Sequence, residues 1–425
     1  MKKEKQLSTL QRLGDNFVSL VILQVVNSLL PLFLIPYLLR TIGVENFGIF
    51  SFIMAIMMYG VKMSDYGFDL SATYHISLHR EDSSKVSEIF SSVLTIKLLI
   101  ATAYTIALVM LLFFVDKLYI YKELIALSFG ILFGFVLNPI WLFQGMERMR
   151  YIMYFNGLSK LLFFVLVLLF VKSESDLYKL LLLNSLSTLL IGATALFIGM
   201  RSFHLKFSLQ PKSRLLFYLK DSWYIFTSKF AVEFYTTLNI IILGFFVTPL
   251  VMGYYAVSVK IIHAIGNLLE PLTRTVYPYL VKLYQSSKEE YVRRNIQLAI
   301  VIFLVMLPIT FSVWYFAEDI LRIITGDKVA RLNIEILQLF AISLIVYLYG
   351  TQFTNILVTI KETKVLNKIL FLSAGVNILL SPILVYFFGV MGMVTLSVFI
   401  AFFMIALKAY YLFNFFIYNS TSCQA

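Results

Sequence analysis

Long apolar runs, separated by short polar connections, repeat from one end of this 425-residue sequence to the other. Each run is about 20 residues or longer, the length an α-helix needs to cross about 30 Å of hydrocarbon. The pattern predicts twelve spans, at residues 16–40, 46–71, 88–114, 122–145, 152–171, 179–200, 222–248, 253–281, 294–316, 332–358, 365–387 and 391–416. No stretch is long and polar enough for a soluble domain. The expected fold class is therefore all-α, a polytopic membrane protein. The apolar run after MKKEKQLSTLQRLGDN (Met1–Asn16) is too long for a signal-peptide core and no cleavage pattern follows it, so span one is expected to stay.

The longest polar connection, SFHLKFSLQPKSR (Ser202–Arg214), follows span six and divides the chain into near-equal halves. We expect an N-terminal six-helix bundle over residues 1–201, a cytoplasmic linker over 202–221 and a C-terminal six-helix bundle over 222–425. Two such halves would be parallel repeats about an axis normal to the membrane. VENFGIFSFIMAI (Val44–Ile56) can be laid over PLVMGYYAVSVKI (Pro249–Ile261), which aligns Gly48 with Gly253 and, further on, Asp65 with Glu270.

Composition agrees with this class: the chain is 60% hydrophobic and 14% charged, where a soluble domain is nearer a quarter charged. The net charge of +12 would suit nucleic acid in a soluble protein. Here the basic residues alternate by side, about 21 on one set of loops and about 8 on the other, as the positive-inside rule requires. Both termini are expected in the cytoplasm. The single cysteine, Cys423, excludes an internal disulfide and a cysteine-based metal site. There is no Walker A loop, no H-E-x-x-H and no His/Cys cluster, so neither metal nor cofactor is expected. The extracytoplasmic connections are too short for a glycosyl-transfer or polymerase centre, which argues against an enzyme.

Charge inside the spans is concentrated. Span two carries Lys62, Asp65 and Asp69, span seven Lys229 and Glu233, and span eight Lys260, His263, Asn267, Glu270 and Arg274; span one adds Gln24 and Asn27. At about 100° per residue, the five positions of span eight fall within an arc of roughly 80°. A charge at mid-membrane costs about 2.5–3.5 kcal/mol, so three on span eight facing lipid would cost about 8–10 kcal/mol, comparable to a domain's whole stability. The stripe must face protein or water. One reading is a satisfied network, with Glu270 pairing Arg274 and Lys229 pairing Glu233 one turn apart. The other, which we favour, is a hydrated central cavity lined by the first two helices of each half. Lys97 and Lys160 are expected to snorkel to the cytoplasmic surface. His75 and His79 are expected to be solvated loop residues, and Trp141 and Trp223 to join an aromatic belt. Pro271, following Glu270, predicts a kink at the stripe.

Several motifs then resemble the polysaccharide-transporter family of O-antigen flippases. They are PYLLRTIGVENFGIFSF (Pro36–Phe52), SDYGFDLSAT (Ser64–Thr73), NPIWLFQGMERMRYI (Asn138–Ile152), YPYLVKLY (Tyr277–Tyr284) and GVMGMV (Gly389–Val394). The resemblance implies a two-bundle fold related to multidrug exporters. It also implies transfer of an undecaprenyl-diphosphate-linked oligosaccharide from the cytoplasmic to the periplasmic leaflet of the bacterial inner membrane, by alternating access. On this reading Lys62, Lys260 and Arg274 attract diphosphate or acidic sugars, while Gln24, Asn27 and Asn267 bond sugar hydroxyls. Asp65, Glu233 and Glu270 are the candidates for coupling to H⁺ or Na⁺. The implied partners are the lipid-linked substrate, membrane lipid and other polysaccharide-assembly membrane proteins, with no nucleic acid. The rival functions are a cation-coupled multidrug exporter and a membrane-embedded glycan polymerase or glycosyltransferase.

Overall fold

The computed structural model describes the backbone of residues 9–326 and 329–421; the side chains of residues 9–29, 31–32, 274 and 417–421 lie outside the described residues. Every regular element among the described residues is a helix. Their ends follow local chemistry. Asp82 caps Ser83–Phe114 by accepting from the backbone N–H groups of Ser84 and Lys85. Ser287 does the same for Lys288–Tyr315 through Glu290, with two acids in the first turn. Pro249 opens the helix Pro249–Leu269, where its missing N–H costs nothing.

Nine helices among the described residues are long and apolar enough to cross a membrane, or ten if the bent pair Lys212–Glu233 and Thr237–Phe246 counts as one span. Two of the nine are double. The helix Thr9–Asp65 is interrupted at Gly43 (φ 79°, ψ 164°) and Thr363–Thr421 at Gly389 (φ 57°, ψ −140°). Only glycine adopts such angles without strain. Counting the bent pair as one span and dividing at these two glycines brings the number to the twelve that the apolar pattern predicts, the side chains of residues 16–29 of span one lying outside the described residues, and makes the chain a multi-pass membrane protein.

The chain forms two compact units, Met1–Ile42 with Ile53–Phe230, and Gly43–Phe52 with Ala231–Ala425. The first is built on a core that includes Phe68, Ile76, Phe90, Trp141 and Leu142. Here Trp141 departs from its expected place in an aromatic belt: it is 2% exposed. The chain turns at Asn138–Pro139 into the short helix Ile140–Gly145, which lays the indole against Phe90 at 5.9 Å. Trp223, at 50% exposed, suits a belt position. Helices Lys122–Leu137 and Leu177–Ser202 approach backbone to backbone, and a Cβ on Gly134 would lie 2.6 Å from Leu189 N.

The second unit has a core around Leu280, Tyr291, Ile356, Leu357 and Leu412. It also holds a reciprocal glycine contact. A Cβ on Gly48 would strike Pro249 O and lie 2.8 Å from Gly253 N; one on Gly253 would strike Val44 O and lie 2.8 Å from Val44 Cγ1. Residues 44 and 48 thus meet 249 and 253 four residues apart on each side. The aligned glycines Gly48 and Gly253 touch each other in the mutual manner of a twofold contact.

Candidate functional site

All three candidate coupling carboxylates stand at helix breaks. Asp65 is the last residue of its helix. Tyr66 (φ 48°) and Gly67 (φ 77°) then turn the chain before Phe68–Leu78 begins. The turn is wedged in place: Tyr66 stacks on Phe226 at 4.4 Å and 13°, and a Cβ on Gly67 would lie 2.8 Å from Ile225 Cγ2. Glu233 ends the helix Lys212–Glu233, and after three intervening residues the next helix starts 45° away. Its Oε2 accepts from Thr237 Oγ1 at 2.6 Å. Glu270 separates Pro249–Leu269 from Pro271–Ser286. Proline at 271 cannot donate to residue 267, so the hydrogen-bond ladder is interrupted there, although the two helices remain one span. Broken helices at membrane depth free backbone groups, and are found where they line ion or substrate sites.

In the first unit the two acids of span two each meet a lysine. Asp65 Oδ1 accepts from Lys97 Nζ at 2.9 Å, and the Lys97 side chain is 5% exposed. Lys97 therefore does not snorkel. Its ammonium turns inward because a carboxylate waits 32 residues away in sequence, and pairing offsets what burial alone would cost. Lys229 forms an ion pair with Asp69. Lys62, three residues before Asp65, is exposed. His75 is also corrected from its expected loop position: it lies in the helix Phe68–Leu78, its side chain is 17% exposed, and its Nε2 meets Asp221 Oδ2 at 2.9 Å. His79 Nδ1 bonds the carbonyl of His75 at 2.8 Å. Lys160, like Lys62, is exposed.

In the second unit the stripe of span eight is partly open. Lys260, His263 and Asn267 are exposed and Glu270 is half-buried. Lys260 lies about 16 Å along the helix from Pro249, about half the hydrocarbon thickness. Its ammonium sits 5.9 Å from the Phe47 ring centroid and forms no ion pair among the described residues. Asn267 Oδ1 accepts from Tyr347 OH at 3.1 Å. The side chains of Gln24, Asn27 and Arg274, all named from the sequence, lie outside the described residues. Among the described residues no three His, Cys, Asp or Glu side chains group as a metal site.

One polar cluster escapes the sequence reading. Asn377 is fully buried and Asn239 is 1% exposed. Asn377 Nδ2 donates to Asn239 Oδ1 at 2.7 Å and to Phe234 O at 2.9 Å. Asn239 Nδ2 donates to Tyr235 O at 3.1 Å and Ser397 Oγ at 3.2 Å. This network ties the break after Glu233 to the helix Thr363–Thr421. The available signal was an amide inside an otherwise uncharged run, which a search for charged residues passes over.

Residues 13–284 match the sequence profile of the family described as Polysaccharide biosynthesis protein, and residues 285–383 match the MatE profile. A protein of Escherichia coli (strain K12) named "Putative O-antigen transporter" is 34% identical over 266 residues, 63% of this chain and 64% of that protein, so the match spans a little under two thirds of its length. A protein of the same name from Shigella dysenteriae is 27% identical over 385 residues, 89% of this chain and 94% of that protein. In fold, the chain is similar to the lipid II flippase MurJ in an inward closed conformation, with a TM-score of 0.73 at 11% identity, covering 93% of this chain and 87% of that one. It is also similar to an inward-facing MATE family multidrug resistance transporter of the MOP superfamily, with a TM-score of 0.70 at 14% identity, covering 93% and 96%.

Proposed function

Because this chain belongs to the polysaccharide biosynthesis protein family, we propose that it is a flippase carrying an undecaprenyl-diphosphate-linked oligosaccharide, an O-antigen or similar surface-glycan unit. Transfer runs from the cytoplasmic to the periplasmic leaflet of the inner membrane by alternating access, with both termini in the cytoplasm and no catalytic step. The observation that carries this reading is the ammonium of Lys260. It stands about 16 Å inside a membrane-spanning helix, exposed and without an acid among the described residues. Left facing lipid it would cost about 2.5–3.5 kcal/mol. An anionic group that must cross hydrocarbon gives it a partner and gains one in turn.

Lys62, Lys260 and Arg274 draw the diphosphate or acidic sugars, Arg274 by two parallel hydrogen bonds and the lysines as point charges. Gln24, Asn27 and Asn267 replace water on sugar hydroxyls. Asp65, Glu233 and Glu270 couple the cycle to H⁺ or Na⁺; the Lys97 ammonium beside Asp65 is the partner that a change of state would remove to let that carboxylate take up a proton. Other polysaccharide-assembly membrane proteins supply and consume the substrate. In a strain lacking the protein, Lys260→Ala and Arg274→Ala together should leave lipid-linked oligosaccharide on the cytoplasmic leaflet and the surface without glycan, although the variant inserts. Normal surface glycan in that double variant would overturn the assignment. A second reading, multidrug export, draws on the MatE match over residues 285–383; drug resistance conferred by expression, with glycan unaffected, would favour it.

A further inference from the structure

Span eight presents Lys260, His263 and Asn267 on one exposed face, and a residue of another helix leans over that face. Tyr347 belongs to Leu344–Thr359. Its ring lies against Gly266, where a Cβ would stand 2.6 Å from the ring carbon Cδ1 and strike Cε1. The ring centroid is 6.3 Å from that of His263, and the hydroxyl donates to Asn267 Oδ1 at 3.1 Å. Glycine at 266 is what lets the ring come this close. A side chain there would push the hydroxyl away from the amide.

An asparagine side chain has one acceptor oxygen and two N–H donors. Tyr347 takes up the acceptor, and Asn267 Nδ2 makes no hydrogen bond among the described residues. The bond leaves both N–H donors of this exposed amide open to a ligand, two helical turns and about 10 Å from Lys260. A cation and a fixed N–H pair on one face suit a ligand that offers an anion at one end and oxygen acceptors at the other.

We propose that Tyr347 is a positioning residue. By holding the Asn267 carbonyl it aims the amide N–H groups at hydroxyl or acetamido oxygens of the first sugar, while Lys260 holds the diphosphate. Tyr347 does not itself touch substrate. The proposal rests on the transport reading above and deepens it, since it assigns sugar recognition and diphosphate recognition to different side chains of one helix.

The test uses the full-length protein in nanodiscs and two probes, undecaprenyl diphosphate and undecaprenyl-diphosphate-N-acetylglucosamine. The ratio of their dissociation constants isolates the sugar. Tyr347→Phe keeps the ring on Gly266 and removes only the hydroxyl. It should lower that ratio about 3- to 10-fold, the effect of one hydrogen bond, and leave undecaprenyl diphosphate affinity unchanged. Asn267→Ala, a change on an exposed position, should do the same. The double variant should be no worse than Asn267→Ala alone, because both act through one amide. A merely structural role would weaken both lipids together. Additive losses, or a ratio that Tyr347→Phe leaves intact, would overturn the proposal while transport itself stands. A wild-type protein that binds neither lipid would overturn the transport reading, and this inference with it.

Discussion

Replacing Lys97 with methionine removes the cation that Asp65 faces at 2.9 Å while keeping an unbranched apolar side chain in a site only 4% exposed. At that separation, two unit charges attract by about 6 kcal/mol if the effective dielectric constant is about 20. Desolvation of both ions offsets most of this in the intact pair. Removing one partner is different, because the desolvated carboxylate stays behind; such deletions cost about 3–5 kcal/mol. Asp65 is 31% exposed, so water relieves part of the penalty and the lower end is expected. For a unit of roughly 200 residues, 3 kcal/mol lowers the melting temperature by about 6–12 °C. Differential scanning fluorimetry of the detergent-purified protein would measure it. The double variant Asp65→Asn, Lys97→Met leaves no net charge behind and should recover at least half the loss. An unchanged melting temperature in Lys97→Met, or a double variant as unstable as the sum of both singles, would refute the reasoning that the pair is a coupled, desolvated unit.

The reciprocal glycine contact gives a second test: Gly48→Ala and Gly253→Ala each place a methyl against backbone of the other helix and should cost about 1–3 kcal/mol. The two should be less than additive in thermal melts, since one separation of the helices relieves both. Gly67→Ala should lower stability by at least about 1 kcal/mol, because φ is 77° and Ile225 Cγ2 lies 2.8 Å from the new methyl. Gly375→Ala, with nothing within 4 Å, should instead be neutral or gain up to about 1 kcal/mol. Asn377→Leu removes the amide that donates to Asn239 Oδ1 and Phe234 O and should cost about 1–3 kcal/mol, whereas Leu372→Ala on an exposed position should leave the same melt nearly unchanged.

Much of this molecule is written locally. Apolar runs of spanning length force helices, since no other open structure satisfies its backbone in lipid. Glycine at 43 and 389 ends one helix and begins the next because only glycine holds those angles cheaply. The stripe on span eight is equally local: residues 260, 263 and 267 share a face by helical period alone, and the structure leaves that face exposed. Pro271 announces its own break. Partnership is another matter. Helical period tells which side chains share a face, but not what another helix brings to it. Lys97 met Asp65 across 32 residues, Lys229 met Asp69 across 160, and Asn377 met Asn239 across 138. Trp141 went inward because the chain turned at Pro139 and Phe90 was there to receive it. Burial, pairing and the Tyr347 contact on Asn267 depend on atoms brought together from distant segments, and only packing of the folded chain decides those distances.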